Sequence, residues 1–236
     1  MRRTALLGLC VLVLIATGCA GTPAALEMLD PSPGVALRDS ERFEYAITEP
    51  GREPARGTIS AARKDNGWVL EQRYEAGGGV DHTTSTVNEA LRPASTARTL
   101  EWAGGGETHG LEYRPADKRV MSTRTKNGKT DTRELKLRDN AYDNESAFWL
   151  WRSLPLAEGY TARYVSVNAY ERSQSLVTLT VIGHAEVTVP AGTFDAWRVL
   201  VVSGRAARTA WIEVAPPHRL VQWDNGGAVM QLTGGR

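Results

Sequence analysis

Cysteine is nearly missing from this sequence: two residues in 236, at positions 10 and 19. A fold built from the rest has no internal disulfide, so its core must hold it alone. An excess of one charge is missing too. The 28 Lys and Arg stand against 27 Asp and Glu, a net charge of +1. That leaves no basic field for nucleic acid and no acidic tail. Phenylalanine is scarce, at three residues against seven Trp and seven Tyr. Tyr and Trp carry polar tips that suit half-exposed sheet faces. No apolar run reaches the roughly 20 residues that span a bilayer as a helix; the longest covers residues 5–16.

That short run is informative. Arg2 and Arg3 precede it, and the small residues Thr17 and Gly18 follow it before Cys19. A charged start followed by a short apolar stretch reads as a secretory signal. The end of the stretch, Ile15-Ala16-Thr17-Gly18-Cys19, resembles the lipobox of bacterial lipoproteins. The expectation is cleavage between Gly18 and Cys19, with Cys19 lipidated by palmitate-type chains. Cys10 is a poorer site, because bulky Leu9 precedes it. Without residues 1–18 the chain carries 26 Lys and Arg against 27 acids, a charge of −1. Two or more acyl chains anchor a protein stably where one does not. The domain reading follows: signal peptide 1–18, lipidated Cys19 and a flexible tether to residue 38, and one β-rich domain over 39–236. Residues 20–37 are rich in Pro, Gly and Ala, and a flexible chain of that length spans roughly 25 Å.

From residue 39 the dominant period is two. Phe43, Tyr45 and Ile47 alternate with Arg42 and Glu44; Trp68, Leu70 and Tyr74 alternate with Glu71 and Arg73. This is the pattern of half-buried antiparallel strands. Turn signals recur at 65–67, 77–79, 104–106, 127–128 and 224–227, with the Gly and Asn that tight hairpins require. The fold class is mostly β: an antiparallel meander curled into an open barrel or half-barrel. One segment, near 144–154, has helical spacing. Ala147, Leu150, Trp151 and Leu154 share a face, with Asp143 or Asn144 as cap and Pro155 as stop. Its apolar face is expected to cover an open end or edge of the sheet.

Candidate chemistry is sparse. Asn127-Gly128-Lys129-Thr130 ends like a phosphate loop, but Thr123 stands where that loop needs Gly, and a hairpin explains the stretch better. His82, His109, His184 and His218 lack metal-ligand spacing. Asp139, Asp143 and Glu145 form an acidic cluster suited to acid/base work or Ca²⁺. Their place before a helix favours capping. No Ser sits in a nucleophile elbow. Trp149 and Trp151 either line an apolar pocket or fill the core. The reading assigns no catalytic residue, no metal ligand and no cofactor.

The stretch from His184 to Val201, HAEVTVPAGTFDAWRVLV, is a hairpin bent at Ala191-Gly192-Thr193, with Trp197, Val199 and Val201 on one face. VTVPAGTFDAWRV, preceded by NESAFWLWRSLPLAEGY and followed by ARTAWIEVAPPHRLVQW, resembles the bacterial exported family known as domain of unknown function 3108. The resemblance covers about residues 143–224. It implies an antiparallel β-rich envelope protein and supplies no activity. At the level of architecture the pattern is also similar to half-barrel lipoprotein carriers that hold acyl chains in a concave apolar face.

The leading expectation is a non-enzymatic envelope lipoprotein, anchored to a membrane by its N-terminal lipid. Where the host has an outer membrane, the expected place is its periplasmic face. Its curled sheet would bind a hydrophobic small molecule or an envelope protein. The alternative is a structural subunit of an envelope assembly, and the third reading is a hydrolase using Asp139, Asp143 and Glu145. A carrier should contain a large apolar cavity; an assembly subunit should show a filled core and a free sheet edge.

Overall fold

The computed structural model describes Leu29 and residues 37–236. Cys19, Gly18 and the signal segment lie outside the described residues. Eight strands come first: β1 (Ser40–Thr48), β2 (Ala55–Lys64), β3 (Gly67–Ala76), β4 (Gly79–Asn88), β5 (Pro93–Trp102), β6 (Gly105–Arg114), β7 (Arg119–Lys126) and β8 (Lys129–Lys136). The short strand β9 (Ala141–Asp143), a 3₁₀ turn (Asn144–Ser146) and the helix α1 (Ala147–Arg152) follow. Then come β10 (Thr161–Asn168), β11 (Ser173–Val189), β12 (Gly192–Ser203), β13 (Ala206–Glu213), β14 (Leu220–Asp224) and β15 (Val229–Gly235).

Among the described residues these strands make one sheet, in the order β8-β7-β6-β5-β4-β3-β2-β1-β15-β14-β13-β12-β11-β10-β9. Each strand from β1 to β8 lies antiparallel beside its predecessor, as a meander of tight turns dictates. The second meander, β10 to β15, returns to the first: Thr48 pairs with Val229 and Tyr45 with Leu232. β9 is the exception, running parallel to β10 with Ala141 opposite Val165. The order is linear, so β8 and β9 are free ends and the curled sheet does not close into a barrel.

The turns follow local chemistry. Asn127 and Gly128 join β7 to β8 with φ of 51° and 73°, the paired positive values of a two-residue hairpin turn. Gly67 opens β3 because nothing larger fits: a Cβ there would lie 2.0 Å from the carbonyl oxygen of Val87. The hairpin of β11 and β12 bends at Pro190 and Ala191, with Val189 paired to Gly192. The bend is thus slightly earlier than the Ala191-Gly192-Thr193 reading, because Pro190 cannot donate to the ladder and so ends the strand.

The core forms on the concave face. Phe43, Ile59, Leu70, Leu179, Ile212 and Leu232 are all fully buried there. The helix is more enclosed than an edge cover would be: of its six residues only Phe148 is not buried. It lies inside the curl as a plug. Its far end is fixed by a bidentate ion pair, with Arg152 Nη1 and Nη2 donating to Glu41 Oε1 and Oε2 at 2.7 and 3.0 Å. The same guanidinium donates to the carbonyls of His218 (2.8 Å) and Pro217 (3.2 Å). Both charged side chains are buried, so the pair survives only because its hydrogen-bonding capacity is so fully used.

Side chains join the two arms of the sheet where no ladder does. The amide of Gln174 donates to Lys136 O at 2.8 Å and its carbonyl accepts from Arg138 N at 3.0 Å. Arg172 donates to the hydroxyl and carbonyl of Ser122, both at 3.1 Å, and pairs with Asp131. One residue of the expected tether also belongs to the core. Leu29 is buried, and its N–H donates to Arg163 O at 2.8 Å. The tether reading is corrected at that position: an apolar side chain next to an open apolar surface docks.

Candidate functional site

Residues from nine strands, the 3₁₀ turn and the plug line an open cleft of about 780 Å³ inside the curl. That volume lies within the roughly 300–1,000 Å³ of ordinary ligand sites. Its two sides differ in kind. One side is apolar, built by Ile47, Met230, Trp223, Val201 and Val177 from β1, β15, β14, β12 and β11. Phe148 and Trp151 of α1 extend it. The rings of Phe148, Trp151 and Trp223 lie 5.1–5.7 Å apart in tilted and edge-on contacts, the arrangement that aromatic quadrupoles favour. The other side is a polar seam where the arms of the sheet approach each other around the 3₁₀ turn. Gln72, Tyr74, Arg98, Asn144, Glu145 and Ser166 line it.

The seam is organised by a relay of hydrogen bonds. The Tyr74 hydroxyl donates to Gln72 Oε1 at 2.6 Å, and Gln72 Nε2 donates to the backbone carbonyl of Glu145. Ser166 Oγ donates to Asn144 Oδ1 at 3.2 Å, linking β10 to the same turn. Arg98 gives its short bonds to Asp81, from Nε at 2.9 Å and Nη2 at 2.7 Å. It reaches Glu145 Oε1 only at 3.4 Å, and Asn144 Nδ2 reaches the same oxygen at 3.3 Å. Glu145 Oε2 has no hydrogen bond among the described residues.

This geometry sets the protonation of Glu145. Burial pushes its carboxyl up to about 7; Arg98 pulls it back and the nearby Asp143 adds to the rise. The Tyr74 hydroxyl is pushed upward as well, by burial first and by Glu145 second. It stays a neutral donor.

The three acids of the sequence cluster separate. Asp139 is exposed and pairs with Lys118 at 3.1 Å. Asp143 precedes the 3₁₀ turn, yet its side chain makes no capping bond. It turns inward and accepts from Ser85 Oγ (2.7 Å), Thr96 Oγ1 (2.5 Å) and the Tyr113 hydroxyl (3.4 Å). Burial raises its pKa, and those hydroxyl bonds oppose the rise. The capping expectation is corrected in this respect: the short bonds to Asp143 come from hydroxyls on β4 and β5, and the Glu145 carboxyl faces the cleft. Glu145 alone of the three lines the cleft.

Trp149 is wholly buried core, whereas Trp151 forms part of the cleft and donates from Nε1 to the Tyr164 hydroxyl at 3.1 Å. The histidines stay dispersed. His109 is buried under the Tyr170 ring, 4.9 Å between centroids, and His184 pairs with Asp195 at the surface. Among the described residues no group of three or more His, Cys, Asp or Glu is arranged to hold a metal ion. No described helix is long and apolar enough to cross a membrane.

Sequence reading missed Gln72, Tyr74, Asp81 and Arg98 as one site. Tyr74 and Arg73 read as a plain alternation, and Asp81 and Arg98 lie on strands that carry no motif. Only their pairing across β4 and β5, with Thr83 opposite Arg98, brings them together.

A family model described as "Protein of unknown function (DUF3108)" matches residues 43–233, well beyond the segment that carried the resemblance in the sequence. A search of curated proteins found no match. Among solved structures, the chain is similar to a β-barrel-like protein of domain of unknown function DUF1849 from Brucella abortus. The likeness has a TM-score of 0.54 at 11% identity, and covers 85% of this chain and 98% of that one. At that identity it shows a shared fold. With the family model spanning most of its length, the chain belongs to the DUF3108 family.

Proposed function

We propose that this protein is a non-enzymatic envelope lipoprotein, acylated at Cys19, that holds an amphiphilic molecule in the cleft of its curled sheet. The observation that carries the reading is the division of the cleft into an apolar side and a polar seam. An apolar side removes a hydrocarbon chain from water, at roughly 25 cal/mol per Å² buried. A few fixed polar groups orient what is bound. Of Asp139, Asp143 and Glu145 only Glu145 lines the cleft, which favours binding over hydrolysis, because paired acid/base chemistry needs two groups within reach of one substrate.

The alternative, a structural subunit docking through a sheet edge, has β8 as its natural surface. That strand is studded with Lys129, Asp131, Arg133, Glu134 and Lys136, and charge of this kind discourages strand addition. The carrier reading is preferred for that reason.

The test is native mass spectrometry of the exported full chain carrying Cys19→Ser. The expected result is an adduct of several hundred daltons that leaves on denaturation. A clean mass after incubation with an envelope lipid extract contradicts the reading. Cys19→Ser should also move the protein from the membrane to the soluble fraction; a variant that still pellets with membranes refutes the anchor.

A further inference from the structure

We infer that the cleft selects a cationic amphiphile, a hydrocarbon chain ending in an ammonium-type hydrogen-bond donor, and that Glu145 is the residue that receives the head. The inference rests on the carrier reading and names the ligand class that reading leaves open.

The charges around the head position are unbalanced. Arg98 is the cation facing Glu145, and it is already held by both oxygens of Asp81. Asp81, Asp143 and Glu145 are the carboxyl groups around it, and the Tyr74 and Tyr113 hydroxyls complete the ionisable surroundings. Arg98 bonds two of these acids, Asp81 closely and Glu145 only by a long contact, while Asp143 adds negative charge beside Glu145. Elsewhere on the lining, Glu171 and Arg208 offset each other. An anionic head placed in the seam would meet Glu145 and Asp81 with Arg98 already engaged. A cationic donor would find Glu145 Oε2, an acceptor with no hydrogen bond among the described residues, on a side chain that is 9% exposed.

Attraction between opposite charges strengthens where water is excluded. Charge-assisted hydrogen bonds are also roughly twice as strong as neutral ones. The apolar side lined by Trp151, Trp223, Met230 and Val201 takes the chain, so head and tail have separate places.

The carboxyl titrates near neutrality, so the selection carries a pH signature. An ammonium head favours the deprotonated form of Glu145. Binding at pH 6 should therefore release a proton, and affinity should rise toward pH 8. An uncharged head with the same chain should show neither effect.

The experiment compares decylammonium, decanol and decanoate on the exported Cys19→Ser protein at pH 8 and pH 6, by calorimetry and tryptophan fluorescence. Decylammonium is expected to bind at least about ten-fold tighter than decanoate at pH 8, with decanol between them. The preference should shrink at pH 6. Glu145→Gln should abolish it, and a urea midpoint at pH 4 equal to the parent's reports that the variant is folded. If decanoate binds as well as decylammonium, or better, the head inference is overturned and the carrier reading stands. If no ten-carbon amphiphile binds, the carrier reading falls and takes the inference with it.

Discussion

Two sites in this molecule bring a carboxylate and an arginine together inside the curl, and they are built in opposite ways. At the far end of α1, Arg152 and Glu41 meet oxygen to nitrogen, and two backbone carbonyls take further N–H groups. At the near end, Arg98 is committed to Asp81, and Glu145 is left with long contacts and an open oxygen. Burial is similar for the carboxylates; completeness is not. A saturated pair can only hold the helix in place. The unsaturated carboxyl faces a cleft and has something left to offer. The difference separates a structural ion pair from a binding group without appeal to any motif.

The largest expected effect breaks the closed site. Arg152→Ala leaves Glu41 as a buried, unpaired charge and should cost about 3–5 kcal/mol in urea unfolding. The double variant Glu41→Leu, Arg152→Met should recover most of that loss, since an apolar pair needs no compensation. A single variant that loses less than about 1 kcal/mol would show the pair to be incidental.

The next prediction sharpens the contrast at the open site. Glu145 has its folded pKa raised from 4.5 to about 7. Between those values the folded state binds a proton that the unfolded state has lost, so stability falls as pH rises through the window. Below 4.5 both states are protonated and the group contributes no penalty; above 7 the penalty is complete, about 3 kcal/mol from the size of the shift. Glu145→Gln should therefore stabilise the protein by up to that amount at pH 8 and leave it unchanged at pH 4. Urea midpoints at the two pH values measure this. The opposite sign to Arg152→Ala is what the comparison requires.

A smaller effect is expected at Asp143, whose carboxyl is satisfied by neutral hydroxyls. Asp143→Asn replaces one acceptor oxygen by a donor and should cost about 1–3 kcal/mol. The loss should come without change in decylammonium selectivity, because Asp143 does not line the cleft. A loss of selectivity in that variant would mean that Glu145 does not act as the receiving group on its own.

Much of the fold was legible. Period-two alternation around Phe43 and Tyr45, and turn pairs such as Asn127-Gly128, mark strands and hairpins because both signals are local. The return of β15 to β1 and the parallel pairing of β9 are not local, and no pattern in Ala141–Asp143 announces them. The interior of β4 to β6 was illegible for a different reason. Thr83, Ser85 and Thr96 are buried there, yet hydroxyl residues on a strand read as solvent-facing unless the buried acid they satisfy is known. Glu145 shows the same limit. An acid just before a helix reads as a cap, and only the position of the curl around it turns that acid toward a cleft.

The measurement that bears most directly on this account is a ¹³C NMR titration of the Glu145 side-chain carboxyl in the folded protein, assigned with Glu145→Gln. The account predicts a midpoint near 7 that moves downward when decylammonium is added. A midpoint close to 4.5, the ordinary glutamate value, unmoved by decylammonium, would contradict it.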